Sequence, residues 1–437
     1  MNSDISDIEA LYAHFLKSSG VTTDSRNCPQ GSLFIALKGA SFNGNAFAAK
    51  ALEAGCSHVV VDEAAYFKAD DQRYTLVKDG LQTLQALARH HRRQLGTPLI
   101  GITGTNGKTT TKELIAAVLR QKFNILYTQG NLNNAIGVPL TVLGLKKEHQ
   151  MGVIEMGASH PGDIKELVDI AEPDFGIITN VGKAHLLGFG SFEGVIHTKG
   201  ELYDFLRAKG NATIFIDHEN PYLQGIAQGL THIEYGTSEG LYVTGRITGN
   251  SPFLALEWKG KQNAAWQKVQ TQLIGSYNFT NALAAITIGC YFGVSPTQIN
   301  AALEGYAPQN NRSQLQRTER NTLIIDAYNA NPTSMQAALE NFSQMQAGHK
   351  MLILGQMGEL GAESEAEHQR VVDYIDQCDF EEVLLVGEQF GKTRHAYPTY
   401  PDTTALIAAL QQLQPAGKTI LIKGSNSNKL STVVDYL

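Results

Sequence analysis

The stretch Gly101-Ile-Thr-Gly-Thr-Asn-Gly-Lys-Thr-Thr-Thr-Lys112 decides the fold of this chain. It follows the apolar residues Leu99 and Ile100 and leads into a helical pattern over Glu113–Leu119, so a glycine-rich turn joins a strand to a helix. This is the context of a phosphate-binding loop, in which backbone N–H groups and the helix N-terminus face the phosphates. The stretch therefore predicts a parallel α/β unit that binds ATP.

Side chains in this loop complete the predicted site. Lys108 is placed to reach the outer phosphates, and the Thr109 hydroxyl is a ligand type that Mg²⁺ accepts. The general pattern G-x-x-x-x-G-K-[ST] asks for a glycine at Ile102, but the glycine lies one residue earlier, at Gly101. An ordinary glycine-rich turn between a strand and a helix is the alternative to a nucleotide site.

Composition limits the class of protein. A chain of 437 residues predicts about three domains, and its net charge of -7 gives no support to a nucleic-acid partner. The four cysteines are isolated, which indicates reduced thiols. The N-terminus has early acidic residues where a signal peptide has basic ones, and no apolar stretch is long enough to span a membrane. We expect a cytoplasmic monomer without membrane insertion.

The alternation of strands and helices divides the chain into three α/β units. Residues 1–97 end at the helix stop signals Gly96 and Pro98. Residues 98–308 contain apolar strands between helices, which is typical of a parallel sheet covered on both faces, and Leu241–Trp258 alternates like an antiparallel excursion. Residues 309–437 show a second doubly wound pattern. We expect a small N-terminal domain, a central P-loop domain and a C-terminal Rossmann-like domain.

Three residues of the central unit lie where open α/β sheets bind ligands. Glu155 ends a buried strand and could hold Mg²⁺, or it could be a solvated or helix-capping glutamate. His185 follows the next strand, where it could bind a second metal through its neutral imidazole or be an ordinary surface histidine. Lys199 lies within an amphipathic helix and is most simply a solvated lysine. Residue type alone leaves these alternatives open.

Two further stretches suggest contacts with a nucleoside. Asn278 and Asn281 would share one face at a helix start, where their amides could pair with an adenine edge or cap the helix. Asp326 follows a buried strand and could hydrogen-bond a ribose, while Tyr328 could pack on a base. The alternative for this second stretch is an Asx-rich turn before a helix.

The order of these stretches resembles that of the Mur ligase family. The likeness covers essentially the whole chain and rests on Asp24–Arg26, Leu33–Gly39, Gly101–Lys112, Glu155–Gly157, Asn180–His185, Asn278–Asn281 and Asp326. Within the family, three stretches resemble the ligases that add D-alanyl-D-alanine to a UDP-N-acetylmuramoyl-tripeptide: Gly130–Pro139, Asp326–Met335, and Leu354–Gly361 followed by Ser364 and His368. The resemblance implies that the N-terminal domain binds the UDP-substrate, that the central domain binds ATP and that the C-terminal domain closes the site.

The resemblance also implies roles for single residues. Those implied to bind ATP are Gly104, Thr105, Asn106, Gly107, Lys108, Thr109, Thr110, Asn278, Asn281, Arg312 and Asp326. Thr109 and Glu155 are implied to hold one Mg²⁺, and His185 with a carbamylated Lys199 to support a second. The implied catalytic groups are Lys108, Glu155, His185 and Lys199. Those implied to contact the substrates are Ser25, Arg26, Asn131, Asn133, Asn134, Tyr328, Asn329 and Asn331.

From the resemblance we expect an ATP-dependent ligase of peptidoglycan synthesis that forms an acyl phosphate on the UDP-tripeptide and transfers it to D-alanyl-D-alanine. The alternatives are a third-residue-adding Mur ligase, a relative of folylpolyglutamate synthetase, or a nucleotide-switched binding protein. Release of ADP that depends on D-alanyl-D-alanine separates the first reading from all three.

Overall fold

The chain folds around a series of β-sheets that follow one another in sequence. The structure, a computed structural model, describes residues 3–261, 263–309 and 311–437. Those residues form three larger sheets with helices packed on them, and one two-stranded ribbon. The predicted α/β architecture in three units is confirmed.

The first unit has a parallel sheet and a short antiparallel ribbon. Its strands are β1 (Val21–Thr22), β2 (Leu33–Ile35), β3 (Lys38–Gly39), β4 (Phe42–Asn43), β5 (His58–Val61) and β6 (Tyr74–Leu76). Its helices are α1 (Ser3–Phe15), α2 (Ala48–Glu53), α3 (Gly80–Leu95) and the 3-10 turns Gly44–Phe47 and Ala64–Tyr66. The sheet order is β1-β2-β5-β6, and β3 pairs with β4.

Helix α3 fixes the first unit to the central one. Its N-cap is Asp79, whose carboxylate accepts from the Gln82 N–H, and it ends at Gly96 in the left-handed conformation. Two side chains near its end reach the central unit: His91 Nε2 lies 2.9 Å from the Leu145 carbonyl oxygen, and Arg92 donates to Asp174 at 2.7 Å. The first unit is therefore held on the central one by buried polar contacts.

One buried histidine makes the stability of the first unit depend on pH. His58 is 4% exposed and contacts the Thr75 hydroxyl at 2.8 Å. Burial, helped by the neighbouring His14, lowers the pKa of His58 from 6.5 to about 4. Between pH 6.5 and about 4, His58 therefore binds fewer protons in the folded state than in the unfolded chain. The stabilisation is complete above pH 6.5 and is lost as the pH falls through about 4.

We expect acidification to cost roughly 2–3 kcal/mol of unfolding free energy at this single site. His58→Gln should remove that part of the pH dependence, and thermal unfolding at about pH 5 and about pH 7.5 measures it. His349→Gln, at an exposed histidine, is the control. An unchanged pH profile in His58→Gln would contradict the assignment.

The central unit is a long mixed sheet. Its strands are β7 (Leu99–Thr103), β8 (Ile125–Tyr127), β9 (Met151–Glu155), β10 (Phe175–Ile178), β11 (Thr213–Asp217), β12 (Thr231–Gly236), β13 (Val243–Asn250), β14 (Leu254–Gly260) and β15 (Asn263–Gln270). Its helices are α4 (Lys108–Leu119), α5 (Gly137–Leu143), α6 (Asp163–Ala171), α7 (Leu186–Phe189), α8 (Phe192–Lys209), α9 (Pro221–Ile226), α10 (Asn278–Tyr291) and α11 (Pro296–Gly305).

Strand order places the loops of the site side by side. The order is β15-β14-β13-β12-β11-β10-β7-β9-β8, parallel from β8 to β13 and antiparallel across β13, β14 and β15. Strands β10, β7 and β9 are neighbours, so their carboxyl ends meet at one edge. That edge carries the phosphate loop, Glu155 and the loop that leads to His185.

The C-terminal unit is a mostly parallel sheet. Its strands are β16 (Gln314–Arg317), β17 (Thr322–Asp326), β18 (Lys350–Gly355), β19 (Glu382–Val386), β20 (Thr399–Tyr400) and β21 (Thr419–Lys423), in the order β16-β17-β21-β18-β19-β20. Its helices are α12 (Pro332–Gln344), α13 (Ser364–Ile375), α14 (Glu388–Gly391), α15 (Thr403–Leu413) and the 3-10 segments Gly361–Glu363, Asn426–Asn428 and Leu430–Tyr436. Only β16 runs antiparallel to its neighbour among the described strands of this sheet.

The central unit contributes to the core of the C-terminal one. Ile274 is buried in the cluster formed by Met335, Leu339 and their neighbours, and Phe253 packs against it. Asn250, at the end of β13, donates to Asn341 of α12 at 2.7 Å. The antiparallel excursion of the central sheet is therefore a contact between the two units.

Some details differ from the sequence predictions. The stretch Leu241–Trp258 holds most of two strands, β13 and β14, with a register shift, and a third strand, β15, extends the excursion. Helix α10 begins at Asn278, so Asn278 and Asn281 both lie at its start as predicted. The pattern did not predict the edge strands β1, β6, β8, β16 and β20, the interior strand β12, or the helices α5, α9 and α11. The domain limits at 97 and 308 stay predictions.

No helix in the described part of the chain has the length and apolar character needed to cross a membrane.

Candidate active site

A cleft of about 740 Å³ lies between the central and C-terminal units, at the carboxyl ends of β7, β9, β10 and β17. Most predicted site residues line it: Thr105, Asn106, Gly107, Lys108, Thr110, Asn133, Asn134, Glu155, His185, Asn278, Asn281, Arg312, Asp326, Tyr328 and Asn329. Gly104, Thr109, Lys199 and Asn331 are not part of the lining, but each contacts or neighbours a residue that is. The structure thus gathers residues from distant parts of the sequence.

The phosphate loop has the conformation that the glycines predict. Gly104 and Gly107 have φ of +142° and +76°, and Lys108 begins α4. The Lys108 ammonium donates to the carbonyl oxygens of Gly104 and Thr105 at 2.8 and 3.1 Å, across the loop. Burial lowers the pKa of Lys108 to about 8, and Arg312 adds to that effect while Glu155 opposes it. An anionic phosphate would restore the charge balance of this loop.

Gly107 has no room for a side chain. A Cβ there would lie 2.6 Å from Asn281 Oδ1, and that oxygen is fixed by a 3.0 Å hydrogen bond from the Thr111 hydroxyl. We expect Gly107→Ala to distort the loop at a cost of about 1–3 kcal/mol and to weaken ATP binding correspondingly. Calorimetric titration with ATP measures this. Gly225→Ala is the control, since a Cβ at Gly225 has no neighbour within 4 Å; equal ATP affinity in both variants would refute the argument.

The residues present fit a magnesium ion at Glu155. Its side chain is 1% exposed, and its Oε1 accepts from Thr109 at 3.2 Å and from Asn133 at 2.8 Å. Its Oε2 is buried and has no hydrogen-bond partner among the described residues. A buried carboxylate oxygen without a partner is costly unless a cation or donor meets it. The solvated or capping alternative for Glu155 is excluded by this burial.

Lys199 is not a solvated lysine. It is 2% exposed on α8, its amine lies 3.5 Å from the Ala158 carbonyl oxygen, and it sits 5.2 Å from the centre of the Phe189 ring. Burial, and then the charge of Lys108, lower the pKa of Lys199 well below its ordinary value. A neutral amine is the form of lysine that reacts with carbon dioxide to give a carbamate. The burial and low pKa are therefore compatible with the predicted modification.

His185 faces the cleft from a strained position. Its φ is +50°, and its Nδ1 contacts the Glu359 carboxylate of the C-terminal unit. Burial lowers the pKa of His185, although Glu359 opposes that shift. The neutral ring has the protonation state that metal binding needs, so the geometry permits the predicted role.

The predicted nucleoside contacts are already linked to the protein. Asn281 donates to Asn278 Oδ1 at 2.9 Å, and Asn278 donates to the Ile274 carbonyl oxygen at 2.8 Å. Asn281 also accepts from the Thr111 hydroxyl of α4 at 3.0 Å, which links the pair to the helix that follows the phosphate loop. Across the cleft, the Arg312 guanidinium stacks 3.8 Å from the centre of the Tyr328 ring, and its Nε is buried without a partner in the described part of the chain.

The turn after β17 caps a helix, as the Asx-turn alternative predicts, and the contact of Asp326 with a ribose stays a prediction. Asp326 accepts from the Ser313 N–H at 3.2 Å and from the buried Lys423 ammonium at 2.5 Å. Asn331 caps α12 by accepting from the Ser334 N–H at 2.9 Å, as an Asx turn would, and it donates to Asn106 at 2.8 Å. The cap thus also ties the C-terminal unit to the phosphate loop.

Three predicted substrate residues lie away from the cleft. Arg26 is exposed in the turn that also holds Ser25, and its guanidinium pairs with Asp24 at 2.9 Å. Asn131 is exposed as well. Ser25 and Arg26 belong to the first unit, where the UDP end is expected to bind, so their role stays a prediction.

Sequence reasoning missed two residues that shape the site. Asn180 accepts from the Asn106 N–H at 2.9 Å and donates to its carbonyl oxygen at 3.1 Å, which fixes the middle of the phosphate loop. Lys423 is 1% exposed and orients Asp326. Both follow or end buried strands, so the rule that singled out Glu155 and Asp326 would also have found them.

Comparison with known proteins gives a consistent result. The Mur ligase family, catalytic domain, matches residues 17–92; the Mur ligase middle domain matches 102–289; and the Mur ligase, glutamate ligase domain, matches 311–426. UDP-N-acetylmuramoyl-tripeptide--D-alanyl-D-alanine ligase of Bacillus subtilis is 36% identical over 96% of this chain and 93% of its own length. The Escherichia coli enzyme of the same name is 35% identical over 95% and 93%.

Solved structures agree with the sequence matches. MurF from Acinetobacter baumannii superposes with a TM-score of 0.85 at 28% identity, covering 98% of this chain and 97% of that one. MurF ligase from Thermotoga maritima in complex with ADP gives a TM-score of 0.84 at 25% identity, with 97% of each chain covered. The likeness therefore extends over all three units.

Proposed function

The chain belongs to the Mur ligase family, and from this premise we propose that it joins D-alanyl-D-alanine to UDP-N-acetylmuramoyl-tripeptide, converting ATP to ADP and phosphate, in peptidoglycan synthesis. The observation that carries the proposal is the cleft itself. A phosphate loop and a buried carboxylate oxygen with no partner in the described part of the chain meet there beneath a second α/β unit, and the buried Lys199 contacts the cleft-lining residue Ala158. The near full-length similarity to ligases of this name selects the substrates.

The chemistry needs charge neutralisation and positioning. The terminal carboxylate of the tripeptide attacks the γ-phosphorus, the bond from phosphorus to the ADP oxygen breaks, and an acyl phosphate forms. The amine of D-alanyl-D-alanine then attacks the acyl carbon, phosphate departs with the electron pair of the broken C–O bond, and the amine proton goes to solvent. Lys108 and the loop N–H groups stabilise the phosphate charge from one side, and Arg312 does so from the other.

Mg²⁺ would be held by Glu155 and Thr109, and a second ion by His185 and carbamylated Lys199. When bound, the metal supplies Lewis-acid stabilisation of phosphate charge. The described residues contain no cluster of three or more His, Cys, Asp or Glu that could hold an ion alone. This favours ions that are completed by ATP oxygens and water, which is the usual arrangement for Mg²⁺.

The test is ADP release under four conditions: ATP alone, ATP with UDP-tripeptide, ATP with D-alanyl-D-alanine, and all three together. We expect rapid release and formation of UDP-pentapeptide only in the complete mixture. Stimulation by single amino acids with a UDP-dipeptide would point instead to a third-residue-adding ligase, and stimulation by glutamate with a folate to a folylpolyglutamate synthetase relative. A nucleotide-switched binding protein would show no acceptor-dependent turnover.

Three further properties belong to the proposal. The reaction uses ATP and a nucleotide-linked substrate, which fits the cytoplasm. One chain carries the phosphate loop, the metal-ligand set and the closing unit, which fits a monomer. The limits 1–97, 98–308 and 309–437 are proposed as its domains, with the first holding the UDP end through Ser25 and Arg26.

A further inference from the structure

One loop of the central unit makes a polar contact with the C-terminal unit beside the cleft. We call this contact the closing contact and define it as residues 182–187 against residues 356–367. The Leu187 N–H donates to the Glu359 carbonyl oxygen at 3.3 Å, and Lys183 pairs with Glu363 at 3.5 Å and with Glu367 at 3.3 Å. The two units also approach closely at Gly182, where a Cβ would lie 3.0 Å from the Thr333 hydroxyl.

Of the two carboxylates that pair with Lys183, Glu367 contributes more to the contact between the two units. The Glu363 side chain is 52% exposed, so its pair with Lys183 is screened by water and contributes little. The Glu367 side chain is only 5% exposed, and its carboxylate contacts Lys183 and, on its own helix, Arg370. Removing one cation from a buried carboxylate is costly because water cannot replace it. The Lys183 side chain is 43% exposed, so its pair with Glu367 is half-buried and is less screened by water than the pair with Glu363.

Glu367 is held rigidly on the C-terminal side. The next residue, His368, is fully buried; its Nε2 accepts from the Met357 N–H at 2.9 Å, and its Nδ1 lies 2.6 Å from the Ser364 carbonyl oxygen. These bonds fix the start of α13 and the segment that follows β18 as one body. Glu367 belongs to this rigid body, so its carboxylate is held in a fixed position for the ion pair with Lys183. Lys183 lies two residues before His185 on the loop at the cleft.

We propose that Lys183 is a positioning residue whose ion pair with Glu367 keeps the C-terminal unit closed over the acyl phosphate and so excludes water. The inference rests on the proposed function, because that reaction passes through an intermediate that water destroys. In the competing step, a water oxygen bonds to the acyl carbon, the C–O bond to phosphate breaks, phosphate leaves with the electron pair, and the water proton goes to solvent. The carboxylate is regenerated and one ATP is wasted.

The test compares phosphate released with amide formed. Wild-type enzyme should release one phosphate per amide bond. Lys183→Met should raise that ratio at least about twofold, and most strongly at low D-alanyl-D-alanine, where water has longer to react. Lys268→Met removes an 85% exposed lysine from another carboxylate pair and is the matched control, with an expected ratio of one.

Neutral variants of the two carboxylates separate positioning from general damage. Glu367→Gln should uncouple the reaction as Lys183→Met does, whereas Glu363→Gln, at the exposed partner of Lys183, should keep a ratio near one. A ratio of one in Lys183→Met would overturn the inference, and so would uncoupling by Glu363→Gln as large as that by Glu367→Gln. A wild-type enzyme without D-alanyl-D-alanine-dependent turnover would instead sink the proposed function.

Discussion

Lys199→Ala is expected to lower kcat by about 100-fold, the size of effect seen when the support of a metal site is removed. The side chain is buried on α8, and the charge of Lys108 is close enough to help lower its pKa. As a cation it would repel both Lys108 and a metal, whereas a carbamate on its nitrogen is an anion that supports one. The measurement is steady-state phosphate release with all three substrates present.

A small carboxylic acid should partly restore activity to Lys199→Ala, because the acid can occupy the space left by the carbamate. High bicarbonate should not rescue the alanine variant, because the carbamate forms on the lysine nitrogen. High bicarbonate should instead raise the activity of wild-type enzyme that has been depleted of carbon dioxide. Lys165→Ala, at a 72% exposed lysine on α6, should keep full activity. Full activity in Lys199→Ala itself would contradict the carbamate role.

Lys108→Ala is expected to reduce kcat by roughly 10²- to 10³-fold, which is the usual effect of losing one preorganised charge at a reacting oxygen. The Lys108 ammonium bridges the carbonyl oxygens of Gly104 and Thr105, so the truncation also loosens the loop. The loss should therefore show in ATP affinity as well as in turnover. Kinetics with varied ATP and calorimetric titration with ADP separate the two effects.

The exposed residue Lys147 provides the control for this second prediction, since it lies outside the cleft-lining set. Lys147→Ala should match wild type in both measurements. If Lys108→Ala retained wild-type kcat at saturating ATP, the lysine would serve nucleotide binding alone and the stabilisation argument would fail.

The sequence predicted the fold where patterns are strong and local. Strands such as β5 and β9 are buried on both faces of parallel sheets. Because both faces are buried, nearly all their residues are apolar, and this continuous apolar run predicts the strand. Two-residue strands such as β1 and β20 carry no pattern of their own, because their pairing depends on neighbours far along the chain.

The site was predictable wherever a residue follows a strand or belongs to the phosphate loop. Glu155 and Asp326 were found in this way. What the sequence could not decide was burial, and burial settles the alternatives: Lys199 is enclosed, and one Glu155 oxygen has no partner in the part of the chain that the structure describes. Pairs between units, such as Lys183 with Glu367, leave no local pattern because their members are far apart in sequence.

The burial of Ile274 in the core of the C-terminal unit has a consequence for how the molecule comes apart. A fragment cut at the predicted limit, residues 309–437, would lack Ile274 and Phe253 and would expose the apolar surface of Met335 and Leu339 that they cover. Such a fragment should be less stable than the same residues in the whole chain, since exposed core surface costs about 25 cal/mol per Å². The hydrophobic core of the C-terminal unit thus includes residues that lie outside the limits predicted from the sequence.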